Sequence, residues 1–385
     1  MRIQTEIGLL PEDWKVVRLE DICNTSSGGT PSRDNEDFYI GNIRWFTTSE
    51  LHDCLLYDSI AHISYDALQH SSAKVFPKGT LLMAMYGATI GKLGLLCKDA
   101  ATNQACCAIM SKEVNLRYLY FHLLNQRTAI IALGSGAGQP NISQNIVRKL
   151  LIPLPPKPEQ ERIAAALTSI DSLIDNLERT IQKKKNIREG AMEELLSGKR
   201  RLPGFSGEWV EKSLDDLVKV KKGQQKNASE LLDKGPYPVI NGGQTASGYT
   251  TEYNTEGDIV TISEGGNSCG FVNYIRQRFW SGGHCYALYV KDKNLDNTFL
   301  YFMLKAGEKE IMSLRVGSGL PNIQTKQLLE FVFFLPSDIR EQHAIADTLT
   351  ALDDEVALLQ AERDKYLQIR SGMMDDLLTG KIRLQ

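Results

Sequence analysis

Apolar residues fall at Ile163, Leu167, Ile170, Ile174, Leu177 and Ile181, in steps of 4, 3, 4, 3 and 4. That is the heptad seam of a long helix, with polar residues between the seam positions. The seam returns at Ile345, Leu349, Leu352, Val356 and Leu359, then passes to Arg363 and Tyr366. Both runs follow a proline-bearing stretch, Leu154–Pro158 and Pro336–Asp338. Both end at Ser/Thr-Gly-Lys, where Gly198 and Gly380 suit the left-handed residue that closes a helix. The pattern predicts two helices of about 40 residues, each about 60 Å long. Gly190 and Gly372 lie inside them at a cost of about 1 kcal/mol each relative to Ala, so each is expected at a kink or a close crossing.

The two helices are copies of one another. Shifting the sequence by 182 places Glu159-Gln160 on Glu341-Gln342, Leu167-Thr168 on Leu349-Thr350, Asp171 on Asp353 and Ile187-Arg188 on Ile369-Arg370. Of the 44 pairs from 159 to 202, 19 are identical. Chance would give roughly three, so the unit is duplicated. Upstream the repeat continues with a drifting shift. Leu119-Tyr120-Phe121 meets Leu300-Tyr301-Phe302 at 181, Lys78-Gly79 meets Glu256-Gly257 at 178, and Trp14 meets Trp209 at 195. The first copy must therefore carry extra loop within 24–77.

The segments before each helix are mixed. Short β-rich runs (Leu81–Met85, Ile259–Ile262, Phe331–Leu335) alternate with turns. A shorter helix near Leu116–Asn125 has its counterpart near Thr298–Ala306. Lys199–Trp209 reads as a Pro/Gly linker. The chain is expected to be α+β, with two globular mixed α/β domains joined by two long helices. The divisions expected are 1–155, a helix over 156–198, 199–337, and a helix over 338–385.

Composition narrows the function. The 385 residues are 42% hydrophobic and 24% charged, ordinary globular values, and the formal net charge is −3. Nucleic-acid binding would have to use local basic patches or a partner's charge. Seven cysteines without a CxxC pair read as reduced thiols of a cytoplasmic protein, and Cys106 and Cys107 as buried structural ones. No apolar run is long enough to span a membrane. Tyr86–Leu93 only superficially resembles a P-loop, with three residues between its glycines and Leu93 where Ser/Thr should stand. HExxH, GxSxG and His/Cys ligand spacings are missing. No catalytic residue and no metal ligand is expected.

Two diverged globular copies on a shared helical frame suit recognition of two different DNA half-sites. Gly-rich loops let backbone approach phosphates, and Arg, Lys, Asn and Gln can read base edges. In the first copy the candidates are Ser27, Gly28, Gly29, Thr30, Ser32 and Arg33, then Arg44, Thr47, Tyr86, Lys92, Asn103 and Gln104. In the second they are Lys221, Lys222, Gln224, Gln225, Asn241, Gln244 and Asn267. Arg44 either meets DNA or pairs with a carboxylate. Asn103 and Gln104 either read adenine or form a buried hydrogen-bonded pair. Lys221 and Lys222 are either phosphate contacts or a solvated strand end. Lys183–Lys185 read as a solvated helix face, and Trp14 and Trp209 as core anchors. Gly134–Asn141 and Gly317–Asn322 occur in both copies, so they suit phosphate binding or turns, not the reading of different sequences.

Taken in order, Gly8–Trp14 (GLLPEDW), Gly28–Ser32 (GGTPS), Tyr86–Lys92, Asn103-Gln104, Glu159-Gln160 with Ile163-Ala164, and Leu195–Trp209 give the chain its resemblance. It resembles the specificity (S) subunit of type I restriction–modification systems, over essentially its whole length. The resemblance implies two target-recognition domains, an antiparallel coiled coil of the long helices and pseudo-twofold symmetry. It implies double-stranded DNA as partner, read as a split asymmetric target. It also implies two docked methyltransferase subunits, with translocase/endonuclease (restriction) subunits outside them. The complex is expected to use S-adenosylmethionine, and ATP with Mg for restriction; no cofactor is expected on this chain. In the second copy, Gly282-Gly283 stands for Asn103-Gln104, and Lys222-Gly223-Gln224 for Ser27-Gly28-Gly29. The alternatives are a stand-alone enzyme, a coiled-coil scaffold, or a DNA-binding protein of another modification or defence complex.

Overall fold

The computed structural model of the protein describes residues 1–134, 141–317 and 321–384. The chain forms two compact units: Met1–Leu177 with Glu362–Gln385, and Glu178–Ala361. The long helices are Lys157–Leu196 and Ile339–Leu377, of 40 and 39 residues. The unit boundaries cut both helices, so each unit owns a segment of each.

In unit 1, Ile163, Ala164 and Leu167 pack with Met374, Leu377 and Leu378 in one apolar core. Glu159 pairs with Arg383 and Asp171 with Arg370, so position falls along one segment as it rises along the other, and the two are antiparallel. In unit 2, Met192 and Leu195 join Ile345, Ala346 and Leu349, and the pairs are Arg188–Asp353 and Arg201–Glu341. Ile163, Leu167, Ile170, Ile174, Leu177 and Ile181 are all buried, as the heptad spacing predicts. The surroundings of Gly190 and Gly372 decide against one of their two alternatives. Both are exposed, and a Cβ on either would meet nothing within 4 Å, so neither marks a close crossing. Gly198 and Gly380 do close the helices, at φ +71° and +63°. A side chain on Gly380 would meet Pro11 at 2.4 Å.

The globular part of unit 1 is built on two larger sheets, beside two-stranded pairings of Arg2–Thr5 with Gly8–Pro11 and of Lys15–Arg18 with Leu151–Leu154. One has five strands in the order Asn24–Ser27, Cys106–Met110, Leu81–Ala84, Leu93–Leu96, Cys54–Leu56. The other runs Ala61–Ile63, Ile43–Phe46, Ala100–Thr102, Val75–Phe76. Unit 2 repeats the plan with Val218–Lys222, Cys285–Val290, Ile259–Ser263, Val272–Ile275, and with Gly248–Thr250, Tyr237–Ile240, Trp280–Ser281. The extra residues of the first copy are thus not merely loop. They supply the edge strand Cys54–Leu56 and the short helix Tyr65–Gln69, whereas the edge strand Val75–Phe76 is matched in unit 2 by the antiparallel bridge of Thr255 to Phe279.

The central strands read as unbroken apolar runs because both of their faces are covered. Leu81, Met83, Cys107 and Ile109 face the core that carries the helices, while Leu82, Ala84, Cys106 and Ala108 face the second sheet. This alternation separates the adjacent cysteines. Both are buried, and burial pushes both thiols up to about 12. The helix Leu116–Asn125 is capped by Asn115, whose side chain accepts from the amides of Arg117 and Tyr118. Its counterpart Asn297–Ala306 is capped by Asp296. Among the described residues, no helix is long and apolar enough to cross a membrane.

Candidate nucleic-acid interface

Strand polarity gathers the candidate residues. In unit 1, Asn24–Ser27 ends where its antiparallel neighbour Cys106–Met110 begins, and Leu81–Ala84 ends at the same edge. The loops 28–35, 85–92 and 103–105 therefore crowd one end of the sheet. Ile43–Phe46 and Ala100–Thr102 run parallel and finish there too, with the Asn103 amide donating to the Phe46 carbonyl at 3.0 Å. Unit 2 gathers 223–228, 241–247, 264–271 and 282–284 by the same polarity.

The two loop clusters share a backbone frame. The amides of Met85 and Glu264 donate to the carbonyls of Ala105 and His284, each at 2.9 Å. Gly87 and Gly91 take φ of +87° and +72°, and Gly266 and Gly270 of +74° and +89°. These glycines coincide at a shift of 179, a GxxxG match between copies that the sequence comparison missed. Two bonds are kept by different residues. Trp45 Nε1 donates to the Gly29 carbonyl at 2.9 Å, and Trp280, from another strand, donates to the corresponding Gln224 carbonyl at 2.8 Å. Asn103 Oδ1 accepts the Ala105 amide, while in unit 2 it is Asn241 Oδ1 that accepts the His284 amide, both at 3.2 Å.

Onto this frame the candidates fall unequally. Gly28 and Gly29 are buried, and a Cβ on Gly28 would lie 1.9 Å from the Thr102 carbonyl oxygen. Their conformation serves packing; Thr30, Ser32 and Arg33 carry the outward surface of that loop. Ser27 is half-buried against Gln144. Thr30 Oγ1 donates to Gln104 Oε1 at 2.5 Å, and Ser32 Oγ to Asp34. Thr47 closes a turn with Glu50. Tyr86, Gln104, Gln224, Gln225, Gln244 and Asn267 are exposed on the loops.

Three candidate cations are already neutralised. Arg44 pairs with Asp58 at 3.0 Å and donates to the Tyr57 carbonyl, so the chain supplies the carboxylate of one of its two alternatives. Lys92 bonds Asp53 at 2.9 Å, beside Arg127 on the same carboxylate. Asp53 sits at φ +63°, uncommon for a residue with a Cβ. Lys222 bonds Glu264, which also accepts from Tyr286 Oη at 3.1 Å and lies 3.5 Å from His284 Nδ1. Nothing local in sequence marked Asp53 or Glu264 as charge partners, 39 and 42 residues from their lysines. Arg33 and Lys221 are exposed and make no ion pair among the described residues. Residues 135–140 and 318–320 of the two shared glycine loops lie outside the described residues. Among the described residues, no three His, Cys, Asp or Glu side chains are grouped to hold a metal ion.

The family of type I restriction modification DNA specificity domains matches this chain twice, over 11–186 and 206–367. A Methanocaldococcus jannaschii protein, the type I restriction enzyme MjaVIII specificity subunit, is 24% identical across 98% of this chain and 94% of its own length. A putative type I specificity subunit of Mycoplasma pneumoniae is 34% identical over 44% of this chain and 48% of its own. The crystal structure of a type I restriction–modification system S subunit from M. genitalium superposes with a TM-score of 0.73 at 22% identity, covering 94% of this chain and 96% of that one.

Proposed function

The chain belongs to the type I restriction–modification DNA specificity family and is a DNA-recognition subunit of such a system, and on that premise we propose that each unit reads one half of a split, asymmetric target. The recognition domains are residues 1–155 and 199–337, with the helical segments 156–198 and 338–385 between and after them. One observation carries this reading. The loop frame is common to both units, yet the side chains on it differ: Asn103-Gln104 against Gly282-Gly283, and Ser27-Gly28-Gly29 against Lys222-Gly223-Gln224. A shared frame with different donors and acceptors suits two similar DNA surfaces with different base edges.

In this reading Arg33 and Lys221 contact phosphate, being exposed and free of carboxylates. Thr30, Gln104, Gln225, Gln244 and Asn267 stand where amide and hydroxyl groups reach bases. Tyr86 stacks or packs at the groove edge. The chain carries no chemistry of its own. It docks two methyltransferase subunits that use S-adenosylmethionine, and restriction subunits that use ATP with Mg, in the cytoplasm where the DNA lies. With a net charge of −3 the chain alone binds DNA weakly, and the partner subunits raise both affinity and specificity. Salt titration of DNA binding, with and without the methyltransferase subunits, tests this. Nanomolar binding of the target by the pure chain at ~150 mM salt would overturn it.

A further inference from the structure

Unit 1 holds one guanidinium in a nest of four side chains. The Arg117 Cζ lies 4.8 Å from the ring centre of Tyr120 and 5.0 Å from that of Phe121. Its Nε donates to Thr168 Oγ1 at 3.1 Å, and Nη2 stands 3.9 Å from Asp171 Oδ2. Arg370 bonds the same aspartate.

Each receiving group recurs in unit 2. A shift of 181 gives Tyr301 and Phe302, and a shift of 182 gives Thr350 and Asp353. Arg188 bonds both oxygens of Asp353, at 2.6 and 3.3 Å, where Arg370 bonds Oδ1 of Asp171 and leaves Oδ2 facing Arg117. The guest differs, because the position of Arg117 is Thr298. A cavity of about 130 Å³ opens there, lined by Thr298, Tyr301, Phe302, Thr350 and Asp353, with Tyr274 as a third ring. Tyr274 stacks on Tyr301 with centroids 5.5 Å apart and planes 24° apart, where the first copy has Leu95. The second copy thus lacks a cation at the Arg117 position and has more aromatic surface there, with Arg276 also on the lining. Ring faces, a carboxylate edge and a hydroxyl acceptor in a partly enclosed pocket are the partners a planar cation needs.

We propose that this cavity is a binding site for a guanidinium group from outside the chain, either a free arginine-type small molecule or an arginine side chain of a partner protein. Its planarity separates it from an ammonium: a slab fits against ring faces while its edge reaches Thr350 and Asp353. Arg276, exposed at the rim, is the competitor within the chain.

The test uses the full chain and argininamide as probe, with lysinamide as control. The wild type is expected to bind argininamide saturably and about tenfold more tightly than lysinamide. Thr298→Arg, which supplies in the chain what Arg117 supplies in unit 1, is expected to abolish that binding and raise the melting temperature. Should that variant fail to fold, Thr350→Val removes one acceptor at constant shape and is expected to weaken argininamide binding. A second arm measures assembly with the methyltransferase subunits. If a partner arginine is the natural guest, Thr298→Arg weakens assembly by about tenfold; unchanged assembly with lost argininamide binding assigns the site to a small molecule. The first arm is independent of the proposed partners, so failure of one reading is distinguishable from failure of the other. Absence of saturable argininamide binding overturns the proposal. So does binding that emerges only in Arg276→Ala, which would make Arg276 the occupant.

Discussion

Arg383 grips Glu159 through two parallel hydrogen bonds, Nε to Oε1 at 2.5 Å and Nη2 to Oε2 at 2.7 Å, across 224 positions of sequence. Glu159 stands in the first turn of one long helix, and Arg383 lies just beyond the end of the other. Arg201 grips Glu341 in the same two-point geometry, at 2.5 and 2.6 Å, within unit 2. Both glutamates are buried, and each guanidinium also lies over a tryptophan, Arg383 on Trp14 and Arg201 on Trp209. The latches differ at their edges: Arg383 also donates to both oxygens of Asp13, at 2.9 and 2.8 Å, where Arg201 donates to the Gly207 carbonyl at 3.0 Å. Trp14 Nε1 donates to Glu159 at 3.0 Å, whereas Trp209 Nε1 is buried without a partner among the described residues.

Arg383→Ala should therefore destabilise unit 1 by about 2–4 kcal/mol, because it strands a buried carboxylate. The value lies toward the low end because the arginine side chain is 32% exposed and its charge is partly screened. Arg383→Lys should recover little, since an ammonium cannot make the two-point bond. Urea denaturation of the three proteins checks this; equal midpoints for wild type and Arg383→Ala would refute the latch.

Gly190→Ala should stabilise the chain by about 1 kcal/mol, since the position is helical, exposed and open. Gly380→Ala should do the opposite, because its backbone is left-handed and Pro11 occupies the space. Thermal melts of the two variants should move in opposite directions.

Stability should fall as pH drops from about 6.5 toward 4 through His122. Burial pushes this histidine down to about 4, so the unfolded chain takes up its proton first and is favoured as pH falls. Stability from His122 is full above its unfolded pKa and is lost as pH falls through the folded one. His122→Gln should flatten the denaturation midpoint across that window; an unchanged slope would exclude His122 as its source.

In the assembled complex, Arg33→Ala and Lys221→Ala should each weaken binding to all sequences and lower the salt slope by about 0.9. Lys222→Ala should change the slope less, because Glu264 already holds that charge. A slope unchanged by Arg33→Ala and Lys221→Ala, with relaxed choice at one base, would make them base readers.

The long helices were legible because a heptad seam and a duplicated sequence are both local, periodic signals. Most of the sheet strands were harder, being three to five residues long and without alternation, since both faces of the central strands are covered. The loops that gather at one end of each sheet could be located from sequence, because Gly, Asn, Gln and Ser cluster visibly there. What each does was not legible. The pairing of Lys92 with Asp53 and of Lys222 with Glu264 depends on contacts across the fold. So does the burial of Gly28 and Gly29, which look like a flexible loop and prove to be a tightly packed crossing.

The central claim is that each unit reads its own half-site. Its most direct test is a hybrid chain in which residues 1–155 come from a relative, produced with the methyltransferase subunits, and sequencing of the methylated bases in that strain. The expected result is a target with one half-site replaced and the other retained. A target altered in both halves, or in neither, would contradict it.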